Sequence, residues 1–88
     1  MFRQQNTGTY TMIRKFGVIE HSSDIIEIHQ ILSETSAKYN VVCDNVVMPT
    51  MTTMKGTLSG GEDGIEKVVA SIKLKFPGIT LVLSEFQK

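Results

Sequence analysis

Two kinds of apolar spacing alternate along this chain, and their order constrains the fold more than any other feature. Residues Tyr10 to Glu20, YTMIRKFGVIE, are rich in aromatic and β-branched side chains and predict a strand. Ser22-Ser23-Asp24 supplies a helix N-cap, with Asp24 and Glu27 spaced as a loose capping box. Ile25, Ile28, Leu32 and Tyr39 then recur at helical spacing, with Glu27, Gln30, Glu34 and Lys38 opposite. Ile26 falls off that face. Asn40 suits the left-handed residue that closes a helix.

Val41 to Met48 predicts a second strand, Pro49-Thr50 a turn, and Thr52 to Ser59 the returning strand of a hairpin. A second helix begins near Glu62 and aligns Ile65, Val68, Val69, Ile72 and Phe76. Pro77-Gly78 stops it, and Ile79 to Phe86 predicts the last strand. The order is β-α-β-β-α-β. With right-handed crossovers it predicts an α+β, ferredoxin-like sandwich: a four-stranded antiparallel sheet with two helices on one face. Residues 1–8 are expected to be a flexible tail, and residues 9–88 a single domain.

Two helices cover one face only, so a monomer should be polar at every second strand position. This chain is not. Strand 1 sets Tyr10, Met12, Phe16 and Val18 against Ile13 and Ile19. Strand 2 sets Val41, Cys43 and Val47 against Val42, Val46 and Met48. The last strand sets Ile79, Leu81 and Leu83 against Val82 and Phe86. Both faces read as apolar, which predicts a homodimer or larger homo-oligomer joined through the sheet. Ile26 and Leu74, off the helix faces, add apolar surface for a larger assembly.

Composition excludes several functions. Nine basic and nine acidic residues cancel, so no broad field draws nucleic acid or an anionic membrane. No apolar run is long enough for a membrane helix, MFRQQNTGTY has no signal-peptide core, and the single cysteine suits a reducing compartment. A cytoplasmic protein is expected.

Leu58-Ser59-Gly60-Gly61-Glu62 matches the signature of ATP-binding-cassette ATPases letter for letter. The phosphate-gripping GxxxxGK[ST] is absent, and Glu62-Asp63 at the following helix start repels phosphate while favouring the helix dipole. The stretch is expected to be a turn and a cap, with no nucleotide role.

Catalytic signals are equally thin. There is no GxSxG, and the topology brings no Cys–His or Ser–His pair together. Asp24, Glu27, Glu62 and Asp63 are helix-start acids. Acylphosphatase shares this architecture and size, but it needs a VxGVxFR-type phosphate loop, and GVIEHSS stands at the matching turn without the arginine. No enzyme activity and no cofactor are expected. His21, His29 and Cys43 form a soft-metal trio on paper. Strand 1 ends with His21 at one end of the sheet and Cys43 begins strand 2 at the other, about 20 Å away at about 3.3 Å per residue. Only an interface between copies could unite them. Met48, Met51 and Met54 group around the hairpin as core filler, an interface or an adaptable surface, with a Cu(I) site the alternative.

Phe76-Pro77-Gly78-Ile79 before a final apolar strand, on a βαββαβ order, resembles the ACT-like regulatory domains. Relatives of similar architecture are the iron-only hydrogenase system regulators and the ligand-binding half of the nickel-responsive repressor. The repressor's histidine-rich pattern and its DNA-binding ribbon are not matched. The resemblance implies a small non-catalytic regulatory or ligand-sensing module, with a small-molecule effector bound near the strand 1 to helix 1 connection. Carried onto this sequence, the ligand-binding residues are Glu20, His21, Ser22 and Ser23, with Thr50 and Gly78 from the loops 49–51 and 77–78 at the same end. A subunit that only assembles, or a metal-responsive regulator, is the alternative.

Overall fold

A computed structural model of the protein describes residues 11–20 and 24–87. The expected tail, with Tyr10, and the loop residues His21, Ser22 and Ser23 lie outside them. The elements are β1 (Met12–Ile19), α1 (Ile25–Lys38), β2 (Val42–Thr50), β3 (Thr53–Gly60), α2 (Glu62–Lys75) and β4 (Thr80–Leu83). The four strands form one antiparallel sheet in the order β2-β3-β1-β4. The protein is α+β, and its arrangement is compatible with a ferredoxin-like topology. Among the described residues no helix is long and apolar enough to cross a membrane.

Both helices form where the spacing put them. Asp24 caps α1: its backbone is extended, and its Oδ1 accepts the Ile26 N–H at 2.9 Å. Asn40 takes the left-handed conformation, φ 59°, just past the helix end. Ile25, Ile28 and Leu32 of α1 and Ile65, Val68, Val69 and Ile72 of α2 are buried, while Ile26 and Leu74 are exposed. The buried helix residues join Phe16 and Val18 of β1 and Met54 and Leu58 of β3 in one core. Burying each such side chain is worth about 1.5–3 kcal/mol, which exceeds any local propensity term.

Of the stretch LSGGE, Leu58, Ser59 and Gly60 finish β3 and the expected turn is confined to Gly60-Gly61. Gly60 has φ +154°, and a Cβ there would stand 3.1 Å from the Asn40 carbonyl oxygen. Gly61 is the α2 N-cap. The start of α2 is packed on the turn that follows α1, with Gly64 directly against the Tyr39 carbonyl.

Three strand assignments need correction. β2 runs through Pro49 to Thr50, and the turn falls on Met51-Thr52. Asn45 adopts φ 55° and the β2–β3 register shifts between Asp44 and Val47. One extra residue reverses the faces there, and a second shift between Val47 and Thr50 reverses them again, leaving Thr50 opposite Thr53. Val47 therefore pairs with Lys55 on the side away from the helices, and Val46 packs on the core, the opposite of simple alternation. In the last strand the ladder ends at Leu83. Ser84 Oγ accepts the Lys15 N–H at 2.9 Å, and the chain rejoins the sheet at Gln87, opposite Ile13. That irregularity turns Phe86 onto the core side, where Arg14 lies 4.5 Å over its ring.

The outer face is thus mixed rather than uniformly apolar. Val42, Val47, Val82 and Ile19 are exposed on it, interleaved with Lys15, Lys55, Asp44 and threonines.

Candidate functional site

The end of the sheet where β1 finishes is built from the β2–β3 hairpin tip and the start of α1. The Glu20 N–H donates to the Thr52 carbonyl at 2.9 Å, tying the end of β1 to the hairpin turn. The tip is stiffened by hydroxyls: Thr50 Oγ1 lies 2.8 Å from Thr53 Oγ1 and accepts the Thr52 N–H at 3.2 Å. Pro49 fixes the backbone one residue earlier.

Between this tip and α1 runs a groove of about 440 Å³, lined by Asp24, Ile25, Ile26, Met48, Pro49, Thr50 and Met51. Ile25 is its buried floor, whereas Ile26 and Met51 stand in solvent, Met51 at 89% exposure. So exposed a thioether, on an unbranched chain, can fold over an incoming apolar group. Asp24 is spent on the helix cap, and the Ile28 N–H is bonded to the Asp24 carbonyl. A ligand carboxylate would find the Ile26 amide taken and the Asp24 carboxylate in the groove wall. The site suits a neutral or cationic molecule with an apolar body.

The residues proposed from sequence divide. Thr50 lines the groove and Glu20 is bonded to its hairpin. His21, Ser22 and Ser23 lie outside the described residues. Gly78 sits in the turn closed by the Ile79 N–H to the Phe76 carbonyl, leading into β4. β4 and β2 are opposite edges of the sheet, three strand spacings or about 14 Å apart. Thr50 and Gly78 share an end of the molecule but not a site. Ile26, Met48 and Met51 were legible only in part, as an off-face isoleucine and a methionine group.

His29 lies half-buried on α1, and Cys43 lies half-buried on β2 facing the core. Burial, with the Asp44 carboxylate beside it, pushes the Cys43 thiol up to about 11 from an ordinary 9.0. Such a thiol is a poor metal ligand and a poor nucleophile at neutral pH. Among the described residues no three metal-capable side chains converge. The three hairpin methionines diverge too: Met54 is fully buried, Met51 almost fully exposed.

No protein-family model matches the chain, and neither does any curated protein.

Proposed function

We propose that this protein is a small, non-catalytic, ligand-sensing regulatory module of ferredoxin-like, ACT-like architecture that works as a homo-oligomer. The observation that carries the reading is the groove between the α1 start and the β2–β3 tip, with its apolar, methionine-bearing wall and the Thr50 hydroxyl at its edge. The order β2-β3-β1-β4 with two interleaved helices supports the architecture. Among the described residues its lining pairs no nucleophile with a free base, Asp24 being held by the helix cap, and in this reading the ligand is bound and released unchanged. Its effector is a neutral or cationic small molecule with an apolar portion, and occupancy is read out through the hairpin and α1 that form the two walls.

Native mass spectrometry of freshly purified protein tests this directly. A retained small molecule, lost in a Met51→Glu or Ile26→Asp variant that keeps its melting temperature, is the expected result. A bare assembly of fixed size, with no mass adduct and no thermal shift across a library of such molecules, would favour a purely structural subunit instead. The exposed valines of the outer sheet face favour that second reading.

A further inference from the structure

The register of the outer sheet face lays its side chains in rows. Across β2, β3 and β1 the rows are Val42–Ser59–Ile13, Asp44–Thr57–Lys15, Val47–Lys55–Gly17 and, after a second register shift, Thr50–Thr53–Ile19. In the third row Gly17 leaves a notch: a Cβ built there meets nothing within 4 Å. Two strands away the bulge at Asn45 has turned Val47 outward, 53% exposed, as a knob. In the row beside it a carboxylate and an ammonium stand the same two strands apart. Among the described residues the ion pair is Lys67–Asp63, so Asp44 and Lys15 form no ion pair with any of them, and Asp44 Oδ1 accepts only the Asn45 N–H at 2.8 Å.

We infer that this face is self-complementary and is covered by a second copy of the chain, related by a two-fold axis running along β3 between the layers. Such an axis keeps the rows and exchanges β1 with β2. Val47 of each copy then enters the Gly17 notch of the other, Asp44 meets Lys15, and Val42 meets Ile13. The small side chains of Ser59, Thr57 and Thr53 lie on the axis and permit the close approach, about 10 Å between sheets. Lys55 also falls near the axis and faces its own mate, which opposes association.

Three strands of eight residues give a footprint of about 14 Å by 26 Å per copy. Two such footprints are small beside the about 1,200–2,000 Å² of a tight complex, so the dimer dissociates on dilution. The proposal deepens the oligomeric part of the functional reading and rests on it.

Sedimentation equilibrium from micromolar to millimolar concentration tests it. The expected result is a shift from 9.8 kDa toward twice that mass. Gly17→Val fills the notch, where a Cβ meets nothing within 4 Å, so the monomer is expected to keep its melting temperature while overpacking between copies weakens association about tenfold or more. Val47→Asp does the same. Lys15→Glu weakens association, adding Asp44→Lys restores it, and Lys55→Gln strengthens it. Leu74→Asp, on the exposed side of α2, changes nothing. A single 9.8 kDa species up to millimolar concentration would overturn both the dimer and the oligomeric reading. A dimer indifferent to Gly17→Val and Val47→Asp, or broken by Leu74→Asp, would overturn this face alone and leave oligomerisation standing.

Discussion

The Phe16 ring lies over Gly56, its cross-strand partner in the β1–β3 ladder, so closely that a Cβ on Gly56 would stand 2.7 Å from Phe16 Cζ. The ring covers backbone that a side chain would otherwise cover, as aromatics do for strand glycines. Gly56→Ala must push a buried ring in a close-packed core and is expected to cost about 1–3 kcal/mol. Gly17→Ala, on the same sheet with open space before it, is expected to be neutral or slightly stabilising in the monomer. Urea midpoints of the two variants check the contrast. Equal effects would show that the ring does not occupy this position.

Gly64 gives a second steric test, with helix propensity pulling the other way. Alanine is favoured over glycine in a helix by about 0.8–1.0 kcal/mol. At Gly64, however, the new Cβ would lie 2.8 Å from the Tyr39 carbonyl oxygen and 3.2 Å from Val41 Cγ2. Neither neighbour is a flexible tip that can swing away. Gly64→Ala is therefore expected to lower the denaturation midpoint. A raised midpoint would mean the two helix ends are not packed this closely.

Ser36 is expected to behave in the opposite sense. It faces the core on α1 at 1% exposure, and its Oγ has no hydrogen-bond partner among the described residues. A buried hydroxyl without a partner costs about 1–3 kcal/mol from mutational data. Ser36→Ala removes that cost and improves helix propensity, at the loss of one small atom's packing. A rise in melting temperature is the expected outcome, and a fall would reveal a partner for the hydroxyl.

Cys43 makes stability depend on alkaline pH. Its thiol titrates near 9.0 in the unfolded chain and near 11 in the folded one, because burial and then the Asp44 charge disfavour the thiolate. Below pH 9 both states hold the proton and stability is unaffected by this group. Between pH 9 and about 11 the unfolded chain releases the proton first, so folding stability falls as pH rises. Cys43→Ala should flatten that part of the melting-temperature profile relative to wild type. The native thiol should also react more slowly with alkylating reagents at pH 8 than the urea-unfolded chain, and equal rates would contradict its burial.

The sequence by itself determined the element order, both helix faces and the corner at Gly60-Gly61. Each of these rests on local chemistry: the spacing of Ile65, Val68, Val69 and Ile72, the Asp24 cap, the left-handed Asn40. The helix stop at Pro77-Gly78 belongs with them. Which side of the sheet Val46, Val47 and Phe86 occupy was decided only by tertiary structure. A single extra residue at Asn45, or the Ser84 hydroxyl standing in the ladder, reverses a two-residue period, and no run of VVCDNVVM announces where the reversal falls. The candidate groove is of the same kind. Ile26 and Met51 are 25 positions apart in the chain, and what joins them is the packing of α1 beside the hairpin tip. Apolar burial between the helices and the sheet fixes that packing, and such burial has no direction that a local pattern could record.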